Sequence, residues 1–74
     1  KENNVLVYPN PASSYIHISN CDGSIKQLFD MNGRLLLQTE NDEINLSEFD
    51  NGIYLLQIKK NDGSFFRTKI IKAE

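Results

Sequence analysis

The sequence predicts an all-β protein, specifically an immunoglobulin-like antiparallel β-sandwich of about seven strands. Apolar and polar residues alternate through much of the 74-residue chain, and no stretch keeps a helical period for long. Turn-forming residues recur roughly every 8 to 12 residues, which is the spacing typical of a sandwich. A chain this short buries only about 60% of its unfolded surface, so we expect one domain with a thin core.

The predicted strands are joined by short turns. The first covers residues 5–8 and ends at Pro9-Asn10-Pro11, because proline fixes φ and lacks the N–H that a sheet ladder needs. The other strands are expected at 15–19, 25–30, 34–39, 44–46, 53–60 and 64–72. Asn32-Gly33 and Asn61-Asp62-Gly63 are typical of hairpin turns, since glycine readily adopts positive φ.

The last two predicted strands each have one clearly apolar side. In the strand at 53–60, Tyr54, Leu56 and Ile58 fall on one side, while Ile53 and Leu55 share the other with Gln57 and Lys59. In the last strand, Phe66, Thr68 and Ile70 are predicted to point inward. Arg67 and Lys69 are predicted to point into water. The strand at 25–30 is less regular, because Leu28 shares its side with Lys26. A β-bulge and a position at the sheet edge are the open alternatives for that strand.

A tyrosine corner is predicted ahead of the strand at 53–60. In sandwiches this device bonds a tyrosine hydroxyl back to the main chain a few residues upstream. Here the Tyr54 hydroxyl is expected to bond near Leu46 or Ser47. Phe49 is expected to fill the core, and Gly52 to allow a tight approach of the backbone.

Composition excludes several classes of function. The net charge is -2 and the pI is about 5.3, with lysine and arginine scattered, whereas nucleic-acid binding needs a concentrated basic face. No apolar run reaches the roughly 18 residues of a membrane-spanning helix. The single cysteine, Cys21, excludes an internal disulfide and a multi-thiolate metal site.

The chain is expected to be part of a longer protein. Lys1 is not an initiator methionine, and the first residues lack the apolar stretch of a signal peptide. We therefore assign residues 1–4 to the end of a linker from an upstream domain, and residues 5–74 to the domain itself. If the protein is exported, its signal peptide is expected upstream of Lys1.

The sequence offers no catalytic or metal-binding constellation. His17 lies between two inward isoleucines, so it is expected to face solvent rather than to activate Cys21 as a nucleophile. The acidic residues fall mainly in predicted turns. Asn61-Asp62-Gly63 resembles part of a calcium loop, but the residues after it supply no second carboxylate. We therefore predict a protein that is not an enzyme and holds neither a metal nor a cofactor.

Five segments carry a resemblance to a known family. They are Val7-Tyr8-Pro9-Asn10-Pro11-Ala12, Leu28-Phe29-Asp30-Met31-Asn32-Gly33-Arg34, Ile44-Asn45-Leu46-Ser47, Gly52-Ile53-Tyr54-Leu55-Leu56-Gln57-Ile58 and Lys69-Ile70-Ile71-Lys72. In this order and spacing they resemble the type A C-terminal sorting domain of type IX secretion cargo. The resemblance covers nearly the whole chain, from about Val5 to Lys72. It departs from the family at the end, where Ala73 and Glu74 follow the terminal lysine.

The resemblance implies a domain at the C-terminus of a larger secreted or surface protein. Such domains take cargo from the periplasm through an outer-membrane translocon, and a sortase-like peptidase then removes the domain. The residues implied as the sorting signal are Gly52, Tyr54, Lys69, Ile70, Ile71 and Lys72. The other motif residues are Pro9, Asn10, Pro11, Asn32, Gly33, Arg34 and Gly63. The resemblance further implies that Pro9-Asn10-Pro11 marks the start of the folded part, with cleavage before it.

The last predicted strand suggests how a partner would read the domain. At a sheet edge it would present unpaired N–H and C=O groups to a partner strand, and Arg67, Lys69 and Lys72 would steer the encounter. We therefore expect recognition by strand addition or by a basic C-terminal stripe. The alternative is that these cations only solubilise the edge. Edge strands could also pair two copies into a homodimer.

Two other functions compete with sorting. One is an adhesive or carbohydrate-binding sandwich that stays on the mature secreted protein. Exposed aromatic rings would favour it, and Tyr8, Tyr15 and Phe65 are the candidates, although the chain has no tryptophan. The other is a structural spacer, which predicts export without the domain.

Overall fold

The fold is known from a computed structural model, which describes residues 5–9, 12–19 and 23–73. Its strands are β1 (Leu6–Tyr8), β2 (Tyr15–Ser19), β3 (Ile25–Phe29), β4 (Leu35–Thr39), β5 (Glu43–Asn45), β6 (Gly52–Lys59) and β7 (Phe65–Lys72). The predicted strand bounds differ from these by one residue at most. Within the described ranges no helix is long and apolar enough to cross a membrane.

The strands form two antiparallel sheets. The smaller sheet has the order β1-β2-β5, and the larger has the order β4-β3-β6-β7. The chain crosses between the sheets after β2, after β4 and after β5. This Greek-key partition is that of an immunoglobulin-like sandwich, so the predicted fold class is confirmed.

The core lies between the two sheets. Its buried apolar residues are Val5, Ala12, Ile16, Ile18, Leu28, Ile44, Leu46, Tyr54, Leu56, Ile58 and Ile70. The inward positions predicted for β7 are confirmed, since Phe66, Thr68 and Ile70 are buried or half-buried, while Arg67 and Lys69 are exposed. In β6 the side that carries Tyr54, Leu56 and Ile58 is the buried one. Full burial of a leucine or isoleucine contributes about 1.5–3 kcal/mol. The free energy of unfolding of a domain is about 5–15 kcal/mol, so each buried leucine or isoleucine contributes a large share of it.

The irregular pattern of β3 has a physical cause. A register shift between Leu28 and Phe29 opposite β4 agrees with the bulge, while the position of β3 between β4 and β6 makes the edge alternative wrong. Lys26 occupies a core position beside Leu28 and is 0% exposed. Its ammonium donates to the Glu40 carbonyl oxygen at 3.0 Å and pairs with the Asp42 carboxylate at 2.9 Å.

The β3–β4 and β6–β7 hairpins have the same three-residue loop. In the first, the Asp30 N–H donates to the Arg34 carbonyl oxygen at 3.0 Å, and Gly33 has a φ of 86°. The loop at 60–64 repeats these contacts, with Gly63 at a φ of 92°. Both angles lie in the left-handed region that glycine adopts without strain, so the predicted role of the two glycines is confirmed.

The folded region begins ahead of Pro9. β1 pairs with β2 along its length, and Val5 is part of the core. The expectation that Pro9-Asn10-Pro11 marks the start of the folded part is therefore wrong, although β1 does end before Pro9 as predicted. Asn10 and Pro11 themselves lie outside the described residues.

Candidate recognition surface

The residues implied as the sorting signal come from two segments that the larger sheet places side by side. β6 and β7 pair antiparallel, with Gly52 opposite Lys72 and Tyr54 opposite Ile70. Neighbouring strands lie about 4.8 Å apart, so the two segments form one contiguous unit at the end of the chain.

Burial divides the side chains of this unit, together with that of Arg67, into two groups. The buried members are Tyr54, Ile70 and Lys72, and the exposed members are Arg67, Lys69 and Ile71. A partner that binds the folded domain can contact the exposed members only. In the folded domain, the buried members act through packing and hydrogen bonds.

Lys72 does not belong to a basic stripe on the surface. Its side chain is buried, and its ammonium donates a hydrogen bond to the Phe49 carbonyl oxygen at 2.6 Å. Lys72 also points to the opposite face of β7 from Arg67 and Lys69, because side chains alternate along a strand. The expected stripe of three cations is therefore reduced to two. Whether Lys72 contributes to sorting stays a prediction.

The tyrosine corner is present, but its acceptor differs from the prediction. The Tyr54 hydroxyl donates to the Asp50 carbonyl oxygen at 2.5 Å, not near Leu46 or Ser47. The Leu46 carbonyl oxygen already accepts from the Phe49 N–H at 3.0 Å, so this local turn uses the acceptor that was expected. The Phe49 ring packs against the core and lies 6.0 Å from the Tyr54 ring between centroids.

Gly52 serves backbone conformation rather than close contact. A Cβ built at this position would meet no atom within 4 Å, so the predicted tight approach is wrong. Its φ is 155°, which residues with a side chain rarely adopt. The glycine therefore sets the path of the chain into β6.

Arg34 and its loop lie at the same end of the sheet as the tyrosine corner. The Arg34 guanidinium is 3.5 Å from the Asp30 carboxylate. That carboxylate also accepts from the backbone N–H groups of Asn32 and Arg34, each at 2.9 Å. Asp30, Arg34, Phe49 and Tyr54 line one open depression of about 220 Å³. Its walls are formed by the loop and the corner.

β7 is an edge strand, but its C-terminal end already has a partner. Ala12 forms a parallel bridge with Lys72. The Ala12 N–H donates to the Ile71 carbonyl oxygen at 2.7 Å, and the Ala73 N–H donates to the Ala12 carbonyl oxygen at 2.9 Å. Strand addition along the whole of β7 is therefore blocked. Among the described residues, the N-terminal half of β7 pairs with β6 alone.

A hydrogen-bonded row of side chains crosses the outer face of the larger sheet, and the sequence analysis missed it. Gln38, Gln27, Gln57 and Arg67 occupy facing positions on the four strands. Gln27 donates to Gln38 at 2.9 Å, and Gln57 donates to Gln27 at 3.0 Å. The Arg67 guanidinium donates to Gln57 at 2.6 Å. Each residue is a polar outward residue in the sequence, but only the register aligns them.

The outer face of the smaller sheet carries a second group. The Tyr8 and His17 rings stack with centroids 5.6 Å apart, and the His17 Nε2 lies 3.6 Å from the Glu43 carboxylate. The prediction that His17 faces solvent is confirmed, whereas Cys21 lies outside the described residues. Over the ranges that the structure covers, no three side chains of His, Cys, Asp or Glu come together as metal ligands.

Comparisons with known proteins agree with the resemblance. A family model described as "Secretion system C-terminal sorting domain" matches residues 6–73. The chain is 32% identical over 74 residues to ulvan lyase NLR42 of Nonlabens ulvanivorans, covering 90% of this chain and 14% of that protein. It is 31% identical over 70 residues to beta-agarase D of Zobellia galactanivorans, covering 92% of this chain and 15% of that protein. No solved structure gives a significant match.

The family match takes in all seven strands of the described residues, while the chain spans only 14% and 15% of the two curated relatives. Domains of this family are sorting signals and not catalysts, which confirms the prediction that the chain is not an enzyme. The chain belongs to the family of secretion-system C-terminal sorting domains, the signal domains of type IX secretion.

Proposed function

We propose that this domain directs a larger cargo protein, attached ahead of it in the same chain, through the periplasm and across the outer membrane by the type IX translocon. The cargo then reaches the cell surface or the medium. Family membership supports this assignment, as does the small share of the curated relatives that the chain spans. The observation that carries it is the match of a sorting-domain family across the whole sandwich.

The exposed side of β7 is the part of the signal that the machinery would read. Arg67, Lys69 and Ile71 lie on one face of this strand and are accessible in the folded domain. The N-terminal half of β7 has an outer edge to which a partner strand could be added. Because Ala12 occupies the other half, we expect strand addition to extend only over the first residues of β7.

Removal of the domain by a sortase-like peptidase is the second part of the proposal. β1 and Val5 belong to the sandwich, so a cut after β1 would divide the folded unit. A cut ahead of Val5 releases the cargo and leaves the described sandwich intact. We therefore place the cleavage ahead of Val5, in or before residues 1–4.

The test is a folded reporter that carries a signal peptide at its N-terminus and this chain at its C-terminus, expressed in cells with a type IX system. We expect the reporter outside the cell, with a mass that lacks the domain. Deletion of residues 69–74 should leave the reporter inside the cell. Deletion of residues 73–74 leaves β7 whole, and the reporter should still be exported. Equal export after both deletions would contradict the proposal.

Because the longer deletion removes part of a core strand, a milder variant accompanies it. Ile71→Asp changes an exposed side chain and leaves the core unchanged. A lower exported fraction with an unchanged unfolding midpoint would support recognition of the folded domain. A normal exported fraction would exclude Ile71 from recognition.

The second candidate function is a binding module that stays on the mature protein. It is favoured by the exposed rings of Tyr8 and Tyr15 on the smaller sheet. This candidate predicts that the exported reporter keeps the mass of the domain. It also predicts that Tyr8→Ala and Tyr15→Ala leave export unchanged and weaken retention on an agarose matrix.

A further inference from the structure

The charge on the outer face of the larger sheet is one-sided. The strands β3, β4, β6 and β7 together contain no aspartate and no glutamate, although the chain as a whole has a net charge of -2. Three cations, Lys59, Arg67 and Lys69, are exposed on the β6–β7 side of this face. An acidic domain therefore presents one basic sheet face.

An apolar patch lies beside these cations. Leu35, Ile53 and Ile71 are 46%, 45% and 42% exposed, respectively. Ile53 faces Ile71 across the β6–β7 pair, and Leu35 is joined to them through Phe29 and Leu55, which face each other on β3 and β6. The patch is therefore continuous across all four strands at the end where the tyrosine corner lies.

The polar row between the patch and Lys59 is hydrogen-bonded from strand to strand. The Arg67 Nε–H donates to the Gln57 side-chain oxygen at 2.6 Å, and the guanidinium carbon of Arg67 lies 5.8 Å from the centre of the Phe65 ring. Gln57 is fixed in turn by Gln27. A cation that is already ordered loses less conformational entropy when it binds a carboxylate. The row therefore presents Arg67 in a defined position.

We propose that this basic-apolar face, defined by Leu35, Ile53, Ile71, Lys59 and Arg67, binds an acidic protein surface of the export machinery. Carboxylates of the partner would lie over Lys59 and Arg67, and its aliphatic side chains over the patch. The inference rests on the proposed function, because it names the surface by which the sorting domain is read. It extends the exposed side of β7 to the outer face of all four strands and does not require strand addition at the edge of β7.

A protein surface fits this face better than the alternatives. An anionic membrane is bound by side chains that enter the lipid headgroup region by about 5–10 Å, whereas these apolar side chains are half covered by their own sheet. If a second copy of the chain bound through the same face, two basic faces without carboxylates would meet, and their cations would repel each other. The amides of the row also offer hydrogen-bond donors and acceptors in fixed directions, which suits a structured partner.

The test compares charge reversals at adjacent lysines in the exported reporter fusion. Lys59→Glu with Arg67→Glu is expected to lower the exported fraction by about tenfold or more, since each 1.4 kcal/mol corresponds to about tenfold. Lys60→Glu is the control for a charge reversal next to Lys59, because this lysine follows β6 and is not part of it. It should export like the parent. Unchanged thermal midpoints of the purified fusions would establish that the variants fold.

The outcomes separate this inference from the proposed function. If the parent fusion stays in the cell, the proposed function itself is wrong. If the parent and the double variant are exported equally, the sorting function stands and the face inference is overturned. Sedimentation of the parent fusion with vesicles rich in phosphatidylglycerol, lost in the double variant, would overturn it in favour of a membrane. A dimer that the double variant dissociates would overturn it in favour of a second copy.

Discussion

The two faces of the larger sheet use the same kind of residue in opposite ways. Lys26 on β3 and Lys72 on β7 point inward and are 0% and 4% exposed. Lys59 on β6 and Arg67 on β7 point outward and are exposed. Strand alternation alone decides which face each cation joins. The comparison teaches that a basic residue near the C-terminus of this chain is not automatically available to a partner.

The inward lysines hold the connections of β5. The Lys26 ammonium binds the Glu40 carbonyl oxygen and the Asp42 carboxylate, which lie between β4 and β5. The Lys72 ammonium binds the Phe49 carbonyl oxygen, which lies between β5 and β6. Each lysine thus ties the larger sheet to one of the two segments that flank β5. Within the described ranges every buried side-chain nitrogen and oxygen has a hydrogen-bond partner.

The largest effect is expected from removing the inward lysine of β3. Lys26→Ala deletes a stem that fills the core, and we expect the free energy of unfolding to fall by about 3 kcal/mol. Lys26→Met keeps most of the stem and leaves Asp42, which is half-exposed, free to rehydrate, so it should cost about 1 kcal/mol. Urea unfolding measures both. Equal losses in the two variants would show that the ammonium, and not the stem, provides the stability.

A smaller loss is expected at Lys72, with Lys59 as its outward counterpart. Lys72→Met removes a part-buried, charged hydrogen bond to the Phe49 carbonyl group and should lower the unfolding free energy by about 2 kcal/mol. Lys59→Met should change it by less than about 0.5 kcal/mol. Urea midpoints of the two variants test the contrast. Equal shifts of the two midpoints would show that the inward and the outward lysine contribute equally to stability.

The tyrosine corner contributes less again. Tyr54→Phe removes the hydroxyl that donates to the Asp50 carbonyl oxygen and should lower the unfolding free energy by about 0.5–1.5 kcal/mol. Tyr15→Phe is the control, because that ring is exposed. Chemical denaturation should separate the two variants, and an unchanged midpoint for Tyr54→Phe would mean that the hydroxyl bond adds nothing.

The smallest effect concerns an exposed charge. The Ser64 hydroxyl and the Ser64 backbone N–H hold the pKa of Asp62 below its ordinary value. A lowered folded pKa stabilises the domain above the unfolded pKa, and this contribution is lost as the pH falls through the folded pKa. Ser64→Ala removes the hydroxyl donor, so the pKa of Asp62 should rise towards the ordinary value. An NMR titration of the carboxyl carbon measures it, and an unchanged pKa would exclude the hydroxyl as its cause.

Strand positions, hairpin glycines and the solvent position of His17 could be read from the sequence, because each depends on local chemistry. Alternation over a few residues places Phe66 and Ile70 inward, and a glycine after a polar turn residue closes a hairpin wherever the strands go. The motifs between Val5 and Lys72 likewise identified the family, because their order is a property of the chain itself.

Strand order and register, in contrast, were decided by tertiary structure. The burial of Lys26 depends on a carboxylate sixteen positions away, and the row that fixes Arg67 depends on three glutamines from three other strands. The bridge from Ala12 to Lys72 depends on how the two sheets close against each other. Contacts between residues distant in sequence leave no local pattern in the sequence. The sequence by itself therefore indicates which face of a strand a side chain occupies, whereas the packing of the two sheets determines which residues it contacts.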